Sequence, residues 1–96
     1  MVFDASQVTG IGAYIVKPEK SRTLYYKGDK VFLVINSHTI EVRCDRELSH
    51  TLQAKYESVM KSRYFGEGGI EIVLAGQLTK EELADLTRLS YNLTDE

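Results

Sequence analysis

Hydrophobic and polar positions alternate in short runs through the first half of the chain. Alternation with a period of two, in segments rich in β-branched and aromatic residues, predicts four strands. They span residues 14–17, 22–26, 30–35 and 39–43. Turn-forming residues separate these runs, and such short connections are typical of hairpins. The pattern therefore predicts an antiparallel meander, with the run at 30–35, apolar on both faces, near its centre.

Helical spacing appears after the fourth strand. Asp45 is a good N-cap, and the apolar residues that follow it recur every three or four positions, which predicts a helix over residues 46–58. Residues 62–65 are expected to form a short fifth strand. The glycine-rich segment 66–69 is then a flexible turn into the next strand.

The last third of the chain has the most specific local pattern. Residues 69–74 alternate and end in an apolar run, which predicts a strand. Thr79 and Glu82 have the spacing of a capping box at the start of a helix. The helix has one expected apolar stripe for core packing. Its members are Leu83, Leu86, Leu89, Ser90 and Leu93.

The order of these elements predicts an α+β fold with two layers, an antiparallel sheet with helices on one face. The length of 96 residues fits a single domain, residues 1–96. Residues 1–12 show little pattern, so this segment is either disordered or a short helix capped by Asp4 or Ser6. No apolar run reaches the length of a membrane span.

Charge is unevenly distributed along the chain. The net charge is −2, which argues against a strongly basic nucleic-acid-binding surface. Residues 43–63 nevertheless carry five cations against three acids, whereas residues 64–96 carry two cations against seven acids. A basic face would therefore have to be assembled by folding. Cys44 is the single cysteine, which excludes an internal disulfide and, with no export signal, favours a cytoplasmic location.

Few residues suit catalysis or metal binding. Zinc sites use four ligands, but the chain offers one thiol, Cys44, and two imidazoles, His38 and His50. Nothing in the spacing positions a histidine beside Cys44 as a base, so we expect a buried structural cysteine. The glycines at 66–69 precede a strand, whereas phosphate-binding loops precede a helix. We therefore expect a binding domain that is not an enzyme and has no cofactor or metal.

One stretch combines cations with aromatic rings in a pattern that suits nucleic acid. Lys61, Arg63 and Tyr64 could bind phosphates and stack on bases, with Lys55 on the preceding helix as a further phosphate contact. A solvated loop whose rings pack into the core has the same sequence pattern. If the chain binds DNA, we predict that these four residues contact it.

A family resemblance adds to this interpretation. The motifs that carry it are residues 27–33, 42–48, 78–83 and 90–93, together with Leu52, Tyr56 and Val59. In these motifs the chain resembles the MmcQ/YjbR family of small bacterial proteins over residues 24–94. The resemblance implies an α+β fold likened to frataxin and to type III secretion chaperones, and a DNA-binding function. The nearest rival is the N-terminal domain of TfoX-type competence regulators.

The chain departs from that family in two places. A tyrosine-histidine-methionine-asparagine-lysine run and a later tryptophan are replaced here by residues 63–67 and Ile70. The long N-terminal helix of the family is shortened or missing. Uncovered apolar sheet surface tends to bind a partner, so we predict a homodimer through the N-terminal segment or the sheet face. The alternative function is a protein-interaction or chaperone-like adaptor that uses an exposed sheet face.

Overall fold

The computed structural model describes residues 3–94, which form an α+β fold. Six strands within this described part of the chain make one antiparallel sheet. The strands are β1 Ile15–Pro18, β2 Arg22–Lys27, β3 Lys30–Asn36, β4 Thr39–Arg43, β5 Val59–Ser62 and β6 Gly66–Val73. The helices are α1 Arg46–Lys55 and α2 Lys80–Leu93. The predicted fold class is confirmed.

The strand order across the sheet is β1-β2-β3-β4-β6-β5. Every neighbouring pair is antiparallel, and β1 and β5 are the two edges. Helix α2 packs on β3 and β4, and α1 packs on β5 and β6. Both helices therefore cover one face of the sheet, the helix-covered face, and we call the opposite face the outer face.

The main core lies between the helices and the sheet. Phe32, Ile40, Ile72 and Leu83 are fully buried there. The N-terminal segment completes this core, because Phe3, Ala5 and Val8 are buried against it.

That N-terminal segment contains a short helix, as one of the two expectations had it. A single 3-10 turn spans Ala5–Gln7, and the side chain of Asp4 caps it by accepting a hydrogen bond from the backbone N–H of Ser6. Residues 1 and 2 lie outside the described residues. The core beneath this segment is therefore covered by the chain itself.

A bulge in β3 brings two consecutive residues of this strand into the same core. Tyr25 pairs with Leu33 and Tyr26 pairs with Val31, so Phe32 has no partner in β2. Phe32 and Leu33 consequently both join the main core, while Val31 belongs to a smaller cluster on the outer face.

A serine of α2 satisfies the backbone groups next to this bulge. The Ser90 hydroxyl donates to the carbonyl oxygen of Phe32 at 2.6 Å and accepts from the N–H of Arg43 at 2.7 Å. Ser90 is fully buried. Its place in the apolar stripe of α2 therefore reflects hydrogen bonding rather than hydrophobic packing.

Helix α2 begins as predicted, and part of its predicted stripe faces the core: Leu83 and Ser90 are buried and Leu86 is partly buried. The capping box between Thr79 and Glu82 is present. The buried residues of the helix are Leu83, Thr87, Ser90 and Tyr91. Leu93, predicted to face the core, is 46% exposed, because Ser90, Tyr91 and Thr94 occupy the buried side at this end of the helix.

The segment between α1 and β6 is where three expectations were wrong. Helix α1 ends at Lys55 rather than at residue 58, because Val59 pairs with Ile72 as a residue of β5. A short run of apolar residues at helical spacing also fits a strand. Here the pairing of Val59 with β6 makes this segment a strand. The fifth strand precedes residues 63–65 instead of containing most of them. The glycines at 66–69 are part of β6 rather than a flexible turn.

Candidate nucleic-acid interface

The outer face of the sheet holds two buried carboxylates side by side. Glu41 of β4 pairs in register with Glu71 of β6, and they are only 2% and 4% exposed. The alternation that places Ile70 and Ile72 in the core directs Glu71 to the opposite face. Buried acids are rare unless they are hydrogen-bonded, so their partners define this part of the molecule.

Glu41 accepts hydrogen bonds from the turn that joins β5 to β6. We call residues 63–65 the β5–β6 turn. One oxygen of Glu41 accepts from the backbone N–H of Tyr64 and from the Ser62 hydroxyl, each at 2.8 Å, and the other accepts from the Asn36 amide at 3.0 Å. The carboxylate therefore holds the β5–β6 turn against the outer face.

Glu71 binds the same turn through Arg63. The Nε and Nη2 atoms of Arg63 donate to the two carboxylate oxygens at 2.9 and 2.7 Å, and the Thr39 hydroxyl donates at 2.7 Å. Burial opposes ionisation of Glu71, but these hydrogen bonds outweigh it, and its pKa lies below the usual range. The Arg63 side chain remains 74% exposed, so its guanidinium is held in place at the surface.

Glycine permits the close approach of the turn to the sheet. A Cβ atom at Gly69 would lie 2.6 Å from the carbonyl oxygen of Val42 and 2.7 Å from the Cβ of Phe65. With hydrogen there, Phe65 packs on the outer-face cluster of Leu24, Val31 and Val34. The apolar part of the outer face is therefore covered by the chain itself.

Cations and aromatic rings alternate over this face. The Nζ of Lys17 lies 4.8 Å from the ring centre of Tyr26, and the guanidinium of Arg22 lies 5.3 Å from that of Tyr64. A third pair joins Arg43 to Phe65 at 4.9 Å. Such stacking holds each charged group over a planar ring.

A cleft of about 610 Å³ separates the β1–β2 turn from the β5–β6 turn. Arg22, Arg63 and Tyr64 line it, with Glu41 and Asn36 also among its lining residues. Arg22 donates through Nε to Glu19 at 2.7 Å, a single bond to an exposed partner. The cleft thus presents two oriented guanidinium groups and the ring of Tyr64, a residue that is 38% exposed.

The structure brings together two of the four predicted contacts. Arg63 and Tyr64 both line the cleft. Lys61 pairs in register with Ile70 and so faces the helix side, where it bonds Glu67 at 3.3 Å. Lys55 lies in the last turn of α1, with its Nζ over the ring of Tyr56. These two lysines are therefore not part of the outer-face site.

Sequence reasoning missed the β2 contribution to this site. Arg22 and Tyr26 share a face of β2 with Leu24, since side chains in a strand alternate. That spacing was readable in the sequence. What it could not show was that the β5–β6 turn folds over the outer face and places the ring of Tyr64 beside Arg22.

The other candidate groups have structural environments. Cys44 is buried, as expected, and burial raises the pKa of its thiol to about 11, which opposes formation of a nucleophilic thiolate. Within residues 3–94, no three His, Cys, Asp or Glu side chains are grouped to hold a metal ion. No helix in that part of the chain is long and apolar enough to cross a membrane.

Comparisons with protein-family models, with curated protein sequences and with solved structures found no match to this chain. The site is therefore interpreted from its own geometry.

Proposed function

We propose that this chain is a non-enzymatic nucleic-acid-binding domain that uses the outer face of its sheet. The observation that supports the proposal is the cleft in which Arg22 and Arg63 flank the exposed ring of Tyr64. Guanidinium groups bind phosphate oxygens, and rings and guanidinium planes stack on bases. We further expect DNA to be the nucleic acid and the cytoplasm to be the location, as in the sequence-based hypothesis.

The charge distribution supports this assignment despite the net charge of −2. The β1–β2 hairpin, residues 15–27, carries four cations, Lys17, Lys20, Arg22 and Lys27, against the single acid Glu19, a net charge of +3. The acids beneath the cleft, Glu41 and Glu71, are buried and hydrogen-bonded. Lys27 lies on the helix-covered side, where its Nζ donates to the carbonyl oxygen of Tyr91. A phosphate backbone approaching the outer face would meet Lys17 and Arg22, each stacked on a ring.

Fluorescence anisotropy with a labelled random DNA, single-stranded and duplex, tests the proposal at low and at raised salt. We expect binding that weakens steeply with salt. Arg22→Gln should weaken it by several-fold, on the order of the loss of one phosphate contact. Arg46→Gln is the control, because Arg46, like Arg22, pairs with a glutamate, but it is exposed and lies on the helix side. Equal losses for the two variants would contradict the outer-face site, and no binding in the micromolar range would contradict the function.

A second function, a protein-interaction adaptor, is favoured by a different observation. The outer face offers little apolar surface, since Leu24, Val31 and Val34 are buried. At the edge strand β1, however, Ile15 and Val16 are 56% and 45% exposed. An adaptor would therefore use the β1 edge rather than the sheet face proposed from the sequence.

The homodimer stays a prediction with a weaker basis, because Phe3 and Val8 already cover the core that a partner was expected to cover. Sedimentation equilibrium in the micromolar range tests it, and a monomer would contradict it.

A further inference from the structure

The edge strand β1 has an open backbone side whose position follows from the adjoining turn. The N–H of Glu19 donates to the carbonyl oxygen of Arg22 at 2.7 Å, which makes these residues a hydrogen-bonded pair. Hydrogen-bonded and non-hydrogen-bonded pairs alternate along an antiparallel ladder. Lys17 with Leu24 is therefore hydrogen-bonded, and Val16 with Tyr25 is not.

The backbone N–H and C=O of Val16 consequently point away from β2. Because β1 is an edge of the sheet, these groups face the open side. Pro18 lies two positions after Val16, so its backbone nitrogen also points to the open side. Proline has no N–H there, and the ladder with β2 loses no hydrogen bond. The open side thus offers a short ladder centred on Val16.

The side chains of β1 suit an added strand. All four residues of β1 are exposed. Ile15 and Val16 lie on opposite faces of the sheet, so a strand beside them could bury apolar side chains on both faces. Edge strands of soluble proteins are commonly protected by charge or proline, and here Lys17 and Pro18 protect only the end of the strand.

The positive charge of the β1–β2 hairpin favours an acidic partner strand at this edge over a second copy of the chain. The β1–β2 hairpin has a net charge of +3, and the remainder of the chain therefore carries −5. Two copies joined through β1 would bring together two hairpins of +3, which is unfavourable. An acidic strand would instead meet Lys17 and Lys20.

We propose that the β1 edge binds an extended acidic peptide segment of a partner protein, which adds to the sheet as a seventh strand beside Ile15–Pro18. This inference rests on the second of the two functions proposed above, and it gives that adaptor its partner chemistry. Backbone hydrogen bonds to Val16 supply affinity, and the hairpin cations supply preference for acidic side chains.

The experiment measures fluorescence anisotropy of two labelled short peptides, one alternating valine with glutamate and one alternating valine with lysine. We expect the acidic peptide to bind at least about tenfold more tightly. Insertion of a proline in the middle of the acidic peptide should abolish its binding, because proline cannot donate to the ladder.

Two variants of the full chain test the geometry. Val16→Pro removes the N–H on the open side and leaves the bonds to β2, so binding should fall by about tenfold. Lys17→Glu should reverse the preference between the two peptides. Lys80→Glu is the matched control, since Lys80 is an exposed lysine at the start of α2, and should leave that preference unchanged. Circular dichroism checks that each variant is folded.

Each contrary result has a distinct meaning. Equal binding of both peptides, or unchanged binding by Val16→Pro, overturns the inference. A dimer that Val16→Pro dissociates also overturns it, because a second copy would then occupy the edge. DNA binding that Lys17→Glu removes, with no peptide binding at all, overturns it while leaving the nucleic-acid function intact. Peptide binding without DNA binding supports it and removes the first proposed function.

Discussion

The two faces of the sheet are stabilised by different physical means. On the helix-covered face, fully buried apolar residues such as Ile40, Ile70 and Ile72 pack against two helices. On the outer face, the β5–β6 turn covers the apolar cluster, and the buried carboxylates of Glu41 and Glu71 hold this turn in place. The first face gains its stability from removing apolar area from water, and the second gains specificity of position from hydrogen bonds. The exposed guanidinium groups and the ring of the proposed site lie on the second.

This comparison supports the choice of the outer face as the proposed binding surface. A guanidinium that forms two bonds to a buried acid loses freedom without losing exposure, as Arg63 does. Ordering such groups before a ligand arrives reduces the entropy cost of binding. On the helix-covered side, by contrast, the ion pairs of Glu67 with Arg46 and Lys61 join exposed side chains at the periphery.

The largest effect on stability should come from the helix-covered face. Ile72→Ala removes a fully buried side chain between α1 and the sheet, and should cost about 2–5 kcal/mol of unfolding free energy, because a cavity adds to the lost transfer energy. Urea unfolding followed by circular dichroism measures it. Met60→Ala, at an exposed position of β5, is the control and should change stability by less than about 0.5 kcal/mol. Similar losses for both variants would contradict the account of the core.

The next largest loss of stability should come from the hydrogen bonds of Ser90, which join α2 to the sheet. Ser90→Ala leaves the buried carbonyl of Phe32 and the N–H of Arg43 without their shared partner, and should cost about 1–3 kcal/mol. The same urea experiment applies, with Thr51→Ala in α1, an exposed position, as control. If Ser90→Ala were as stable as the unaltered chain, the bulge would not depend on this hydroxyl.

The outer face should show a smaller loss that depends on pH. Glu71→Gln removes the charge that binds Arg63, and should cost about 1–2 kcal/mol near neutral pH. Since the folded pKa of Glu71 is depressed, its contribution is present above the ordinary glutamate pKa of 4.5 and is lost as the pH falls through the folded value.

Urea unfolding at about pH 7 and about pH 3 checks this prediction. The stability difference between the unaltered chain and Glu71→Gln should narrow at the lower pH. A difference that is the same at both values would mean that ionisation of Glu71 contributes nothing to the fold.

The smallest effect belongs to the peripheral charges of the helix side. Glu67 contacts Arg46 and Lys61 at 3.3 Å, and these contacts lower the pKa of Glu67, but all three side chains are more than half exposed. Solvent screens such pairs strongly, so Glu67→Gln should leave the urea midpoint unchanged within error. A clear shift of the midpoint would show that this exposed cluster is structurally as important as the outer-face pair.

Much of the fold could be predicted because local patterns and tertiary packing agree. The first four strands and the capping box of α2 lie where alternation and the Thr79–Glu82 spacing place them. The segment after α1 was mispredicted because apolar residues such as Val59 fit helical spacing as well as a strand. The glycines at 66–69 have the composition of a turn, but in the sheet Gly69 provides the space that Phe65 needs.

The candidate site was predictable only in part. Cations next to aromatic residues pointed to Arg63 and Tyr64, and both line the cleft. The same pattern included Lys61, which faces the opposite side. Lys61 and Arg63 are two positions apart, a spacing that would keep both on one face of a regular strand. However, the β5 ladder is irregular between Lys61 and Ser62 and the strand ends at Ser62. Arg63 and Tyr64 therefore belong to the turn, and their bonds to Glu71 and Glu41 hold them on the outer face.

The sequence by itself determined the secondary-structure periods, the helix caps and the separation of charge between the β1–β2 hairpin and the remainder of the chain. These properties are local or compositional, and they do not depend on which segments meet. Only the tertiary structure decided that Glu41 and Glu71 are neighbours, that the β5–β6 turn crosses the outer face to Arg22, and that β1 is an edge. Strand order and register set these contacts between residues far apart in the chain, and no local pattern encodes them.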